Sequence, residues 1–127
     1  MPHALLIDDD VSNLGVLQEI LTLEGVAFTA IVDSTRVEDA IPEMEPIDVV
    51  FLDLEMPDVD GYQMFQLLKS YPQFDNVPIA ACTVHTAEFH TARELGFHSF
   101  ISKPLDIDAF PHQLAEILQG KSVWDVT

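Results

Sequence analysis

Four groups of residues in this chain have the types and spacing to do chemistry. Asp8, Asp9 and Asp10 stop an apolar run at residues 4–7, and Asp53 stops another at residues 49–52. Two later apolar runs stop at Thr83 and at Ser102-Lys103-Pro104. Carboxylates brought together repel one another, so their pKa values rise and couple unless a cation intervenes. Oxygen donors with room for water suit Mg2+ better than zinc or a softer metal. A hydroxyl and an ammonium beside such a cation suit a phosphoryl group. A carboxylate next to bound Mg2+ can itself act as a nucleophile and form an acyl phosphate. Taken alone, Asp53 reads equally well as the start of a turn, because Pro57, Asp58, Asp60 and Gly61 follow it.

The elements decide whether these residues meet. Residues 3–7, 26–32, 49–52, 77–82 and 97–101 are short apolar runs and predict five strands. Leu14, Leu17, Ile20 and Leu21 recur at helical spacing, Asp10 can cap their helix, and Gly25 ends it. Asp33 or Ser34 can cap a second helix through Val37, Ala40 and Ile41, ended by Pro42 or Pro46. Tyr62, Phe65, Leu67 and Leu68 predict a third helix, and residues 86–95 a short fourth closed by Gly96. Asp106 can cap a fifth, with Phe110, Leu114, Ile117 and Leu118 on its apolar face. Strict alternation of strand and helix predicts an open α/β fold, doubly wound and flavodoxin-like, with a parallel sheet of five strands and helices on both faces. The C-terminal ends of parallel strands share one edge, so Asp8, Asp9, Asp53, Thr83 and Lys103 can converge there.

The 127 residues predict one domain. No apolar run is long enough for a membrane span, no signal-peptide pattern opens the chain, and the single Cys82 cannot form an internal disulfide. These features predict a cytoplasmic protein without membrane insertion. The net charge of −17 argues against direct nucleic acid binding and favours divalent cations and basic partner surfaces. The five histidines lack a compact metal spacing.

The runs Leu5-Leu6-Ile7-Asp8-Asp9-Asp10, Leu52-Asp53-Leu54-Glu55-Met56-Pro57-Asp58-Val59-Asp60-Gly61, Thr83 and Phe100-Ile101-Ser102-Lys103-Pro104-Leu105 stand in order, each at a strand end. In these motifs, residues 3 to 119 resemble the receiver domains of two-component response regulators. The resemblance implies the strand order 2-1-3-4-5. It implies that Asp53 accepts a phosphoryl group from a sensor histidine kinase or histidine phosphotransfer protein. It makes Asp8, Asp9, Asp53 and the backbone carbonyl of Glu55 the Mg2+ site, and Thr83 and Lys103 the phosphoryl-binding groups. Thr83 and Phe100 match the switch pair, and Pro104 matches a proline held in a cis bond. Glu55, Val84 and His85 fall at positions that tune dephosphorylation. Glu55 and His85 could pair over the site, and Val84 stands where many receivers carry Ala or Gly.

Residues 1–120 are expected to form the receiver, with 121–127 as a C-terminal tail and no output domain. Trp124 is expected to pack back on the domain or to belong to a disordered tail, rather than to dock on a partner. The segment from Thr83 to Gly96 is short for a receiver, and no Lys or Arg lies between Asp106 and Gly120. That absence argues against a charge-paired dimer through the last helix, so a monomer or weak dimer is expected, acting on an unknown downstream protein. Beyond its own phosphorylation and dephosphorylation no enzyme activity is expected. The rival readings are a receiver-like scaffold that is never phosphorylated, a Mg2+-dependent phosphohydrolase, and a flavodoxin. The last would require Asp8-Asp9-Asp10 to face a flavin phosphate.

Overall fold

A computed structural model describes residues 1–125. Six parallel strands form one sheet: β1 His3–Ile7, β2 Ala27–Ile31, β3 Val49–Leu52, β4 Ile79–Thr83, β5 Ser99–Ser102 and β6 Trp124–Asp125. Their order is β2-β1-β3-β4-β5-β6. The helices are α1 Val11–Leu23, α2 Val37–Ala40, α3 Gly61–Lys69, α4 Phe89–Leu95 and α5 Phe110–Leu118. No helix of the described residues is long and apolar enough to cross a membrane.

The strand sequences are apolar throughout because both sheet faces are covered. Alternate residues serve opposite layers. Ala4, Leu6, Val49 and Phe51 pack with Leu14, Leu17 and Leu21 of α1 and Phe110, Leu114 and Ile117 of α5. Leu5, Ile7, Val50 and Leu52 pack with Val37 of α2, Met64, Phe65 and Leu68 of α3 and Ala92 of α4. Local signals fix the helix starts. The Asp10 carboxylate accepts from the Ser12 and Asn13 N–H groups and starts α1. Asp60 and Gln63 form a reciprocal capping box at α3.

The sheet differs from the sequence expectation by one strand. The tail was expected outside the sheet, whereas Trp124 and Asp125 pair with Phe100 and Ile101. The Phe100 N–H donates to the Val123 carbonyl at 2.8 Å, and the Val123 N–H donates to Ser99 Oγ at 2.9 Å. A strand of two residues is too short to carry a period, and the unpaired edge of β5 supplies the reason for it to form. Val126 and Thr127, the rest of that tail, lie outside the described residues. The second helix also differs. It is a single α-turn between 3-10 turns at Ser34–Arg36 and Ile41–Glu43, since Pro42 cannot donate to a continuing α-helical ladder. Asp106 caps the turn before α5, accepting from the Asp108 and Ala109 N–H groups, and the helix begins at Phe110.

Candidate functional site

The register of β1 against β3 places Ile7 beside Leu52, so the chain leaves both strands side by side with an aspartate next. The Asp53 N–H donates to the Ile7 carbonyl at 3.0 Å, extending the pairing one residue and setting Asp53 beside Asp8. The result is a carboxylate cluster. Asp8, Asp9 and Asp53 each offer one oxygen, and these oxygens all lie within 4.8 Å of one another. Asp8 and Asp53 are buried, while Asp9 is exposed. Three hard oxygen donors at this spacing fit a small divalent cation.

The opposite wall comes from β4 and β5. Thr83 pairs with Ser102, and the Lys103 N–H donates to the Thr83 carbonyl at 2.9 Å. The Lys103–Pro104 peptide bond is cis. The ammonium reaches inward, with Nζ 2.5 Å from Asp8 Oδ2 and 3.8 Å from Asp53 Oδ2. Thr83 is fully buried, and its Oγ accepts from the His85 N–H at 3.2 Å. Phe100, also fully buried, lies edge-on to Phe89 at 5.6 Å between ring centres.

The electrostatics follow from burial and crowding. Desolvation pushes the Asp53 carboxyl up to about 6; Lys103 opposes this, Asp8 adds to it, the Glu55 N–H opposes it and Asp9 adds to it. Burial pulls the Lys103 ammonium down, but its hydrogen bond to Asp8 and the neighbouring Cys82 and Asp53 outweigh burial, leaving its pKa above the ordinary value. Cys82, beneath the site, is buried, and desolvation pushes its thiol up to about 12. Such a thiol is core rather than a reactive group.

At the mouth, His85 Nε2 lies 3.0 Å from Glu55 Oε2, an ion pair when the ring is protonated. The Glu55 N–H points back to Asp53 Oδ1 at 3.4 Å. Val84, next in sequence to Thr83, is 56% exposed and so does not fill the interior.

Two supports were not anticipated. Tyr62 on α3 donates a short hydrogen bond to Glu88, tying that helix to the loop after Thr83. Gly61 packs directly beneath the Asp53–Leu54 backbone. The Asp-Gly pair at a helix start indicated a turn, and no sequence signal marked the close approach.

Residues 4–115 match the family model for the response regulator receiver domain. The chain belongs to the response regulator receiver domain family. This receiver is 32% identical over 123 residues to stress response regulator protein 1 of Lodderomyces elongisporus, covering 92% of this chain and 34% of that protein. It is 31% identical over 110 residues to the regulatory protein VirG of Agrobacterium tumefaciens, covering 87% of this chain and 41% of VirG. The receiver thus spans well under half the length of these relatives. Among solved structures, the chemotaxis protein CheY4 of Vibrio cholerae superposes with a TM-score of 0.83 at 19% identity, over 92% of this chain and 98% of that one. The receiver domain of a sensor histidine kinase from Pseudomonas aeruginosa, with magnesium coordinated in its active site cleft, gives 0.76 at 25% identity, over 93% and 94%.

Proposed function

We propose that this receiver accepts a phosphoryl group on Asp53 from a phosphohistidine of a sensor kinase or phosphotransfer protein, and signals through phosphorylation-dependent binding of a downstream protein. The observation that carries the reading is the placement of Asp53 beside two further aspartates, with the buried Lys103 ammonium 2.5 Å from Asp8 and 3.8 Å from Asp53. An Asp53 oxygen attacks phosphorus as the P–N bond breaks, and the electron pair leaves with the imidazole. Thr83 and Lys103 bind the phosphoryl oxygens, which requires Lys103 to share or leave Asp8. The carboxylates of Asp8, Asp9 and Asp53 and the Glu55 carbonyl would hold Mg2+, which supplies charge neutralisation for the incoming phosphoryl oxygens. The magnesium-bound relative supports that assignment. Residues 1–120 serve as the receiver in this reading, and its setting is cytoplasmic. Its only chemistry is its own phosphorylation and dephosphorylation.

The direct test incubates the protein with Mg2+ and acetyl phosphate and weighs it. One added phosphoryl group is expected. Its absence from folded, Mg2+-bound protein would favour a scaffold, and release of phosphate from other monoesters would favour a phosphohydrolase.

Two further results are expected. Mg2+ at about 100 times its Kd should stabilise the fold by about 2.7 kcal/mol, and Asp9→Ala should remove most of the accompanying rise in Tm. An equal rise in the variant would remove Asp9 from the metal site. Val84→Ala should shorten the acyl-phosphate lifetime, because a β-branched side chain at the mouth obstructs attacking water. An unchanged lifetime would assign that control to Glu55 and His85 instead.

A further inference from the structure

The chain leaves β4 at Thr83, carries His85 to Glu55 and runs on to α4. Residues 84–88 are not buried. Within the segment, the Thr86 N–H donates to the Val84 carbonyl at 3.2 Å and the Glu88 N–H to the His85 carbonyl at 3.0 Å. A segment without buried apolar contacts depends on polar contacts with its neighbours for its position. Among the described residues, two such side-chain contacts leave this one. His85 meets Glu55 near its start, and the Glu88 carboxylate accepts from the Tyr62 hydroxyl at its end. Glu55 and His85 are both exposed, so their pairing is screened and varies with the charge of the ring. Tyr62 and Glu88 are half-buried, which makes theirs the sheltered contact.

Tyr62 is a fixed post. It is the second residue of α3, whose start is set by the capping box of Asp60 and Gln63. Its ring stands edge-on to Phe97 at 6.3 Å, and Phe97 stacks on Phe65 at 4.2 Å. Burial, and then the bond to Glu88, hold the Tyr62 hydroxyl above its ordinary pKa, so it stays a donor. The preceding Gly61 packs against the Asp53–Leu54 backbone, and its N–H donates to the Leu54 carbonyl. One helix start therefore seats the Asp53 segment through Gly61 and the Thr83 segment through Tyr62.

We propose that Tyr62, acting through Glu88, is a positioning residue for phosphoryl transfer: it fixes the segment after Thr83 in register with the segment of Asp53. The inference rests on the function proposed above. Thr83 Oγ accepts from the His85 N–H at 3.2 Å, so a shift of the segment disturbs the surroundings of that hydroxyl. Donors held in place need no reorganisation as charge develops on the phosphoryl oxygens. Tyr62 is not among the groups that would hold Mg2+, so the pair bears on rate rather than on metal affinity.

The test follows uptake from acetyl phosphate by mass at saturating Mg2+, together with amide hydrogen exchange of residues 84–88. Tyr62→Phe keeps the ring and removes the donor. It should take up phosphoryl groups about tenfold more slowly, the factor that one hydrogen bond to a charged group supports, and exchange across 84–88 should quicken. The Mg2+-induced rise in Tm should not change. Glu88→Gln keeps an acceptor and should retain most of the rate. Glu88→Ala should match Tyr62→Phe, and the double variant should be no slower than either, because both remove one interaction. A general loss of stability would produce neither the rescue nor the non-additivity. Glu88→Ala carries the same test should Tyr62→Phe fail to fold. Equal or faster uptake by the single variants, unchanged exchange at 84–88, or additive losses would overturn the inference and leave the proposed function standing. No uptake by the unmodified chain would overturn both.

Discussion

Asp53→Asn is expected to abolish phosphoryl uptake and, at pH 7 without divalent cation, to stabilise the fold by roughly 1–3 kcal/mol. The first effect follows from the amide, which has no anionic oxygen to attack phosphorus. The second follows from the raised pKa. Desolvation first, then Asp8 and Asp9, push the Asp53 carboxyl up from 3.8 to about 6 against the pull of Lys103 and the Glu55 N–H. A carboxyl with a raised pKa in the fold favours folding when protonated. That contribution is complete below the unfolded value near 4 and is lost as pH rises through about 6. At pH 7 the native protein therefore holds a carboxylate its surroundings oppose, and asparagine removes the opposition at nearly constant shape. Lys103 keeps its partner, since its 2.5 Å contact is with Asp8 and the Asp53 oxygen is 3.8 Å away. Urea unfolding from pH 4 to 8 in chelator checks this. The variant's advantage should be greatest above pH 6 and fade towards pH 4, and Mg2+ should reverse it by stabilising the unmodified protein. A variant less stable at pH 7, or a pH-independent gap, would mean that lost hydrogen bonds outweigh the relieved repulsion.

The convergence at Asp53 was legible because it depends on alternation and on where apolar runs stop. Leu52 gives way to Asp53 and Ile7 to Asp8, and parallel pairing then brings both acids to one edge. Asp10 was legible as a cap because capping is local, and its carboxylate receives the Ser12 and Asn13 N–H groups. The facing of Glu55 and His85 was implied by the resemblance to receiver domains, whose corresponding positions flank the site, and the two side chains do meet at 3.0 Å. What escaped depends on surroundings rather than on pattern. Trp124 joins the sheet because β5 leaves an edge and Phe89 and Arg93 offer a seat, and no period in residues 121–125 announces that. The choice of Asp8 as the closest partner of Lys103 is a matter of side-chain reach across β1, β3 and β4, which spacing along the chain does not encode. The Tyr62–Glu88 bond is likewise fixed only once α3 and α4 lie on one face.

Gly61→Ala should cost about 1–3 kcal/mol of stability and weaken the site with it, although the position is the first residue of a helix, where alanine is ordinarily the better choice. A Cβ at Gly61 would lie 2.4 Å from Leu54 Cα, 2.7 Å from the Asp53 carbonyl oxygen and 2.8 Å from Leu54 Cδ2. Two of these are backbone atoms, so no rotamer change relieves the clash. The Gly61 N–H also donates to the Leu54 carbonyl at 3.0 Å, which holds the two segments together. The chain must therefore move at Asp53 and Leu54, the segment that aims the proposed phosphoacceptor and leads to the Glu55 carbonyl. Displacement of about 1 Å at a reacting group can cost on the order of 100-fold in rate. The expected signature is coupled: a lower urea midpoint, weaker Mg2+ stabilisation and slower uptake from acetyl phosphate. Gly15→Ala supplies the contrast. Gly15 lies within α1, and a Cβ there would meet nothing within 4 Å, so that variant should gain roughly 0.5–1 kcal/mol from helix propensity and keep its uptake rate. Should Gly61→Ala keep both its midpoint and its rate, the loop after Asp53 must yield at little cost, and the seat beneath Asp53 would be soft rather than fixed.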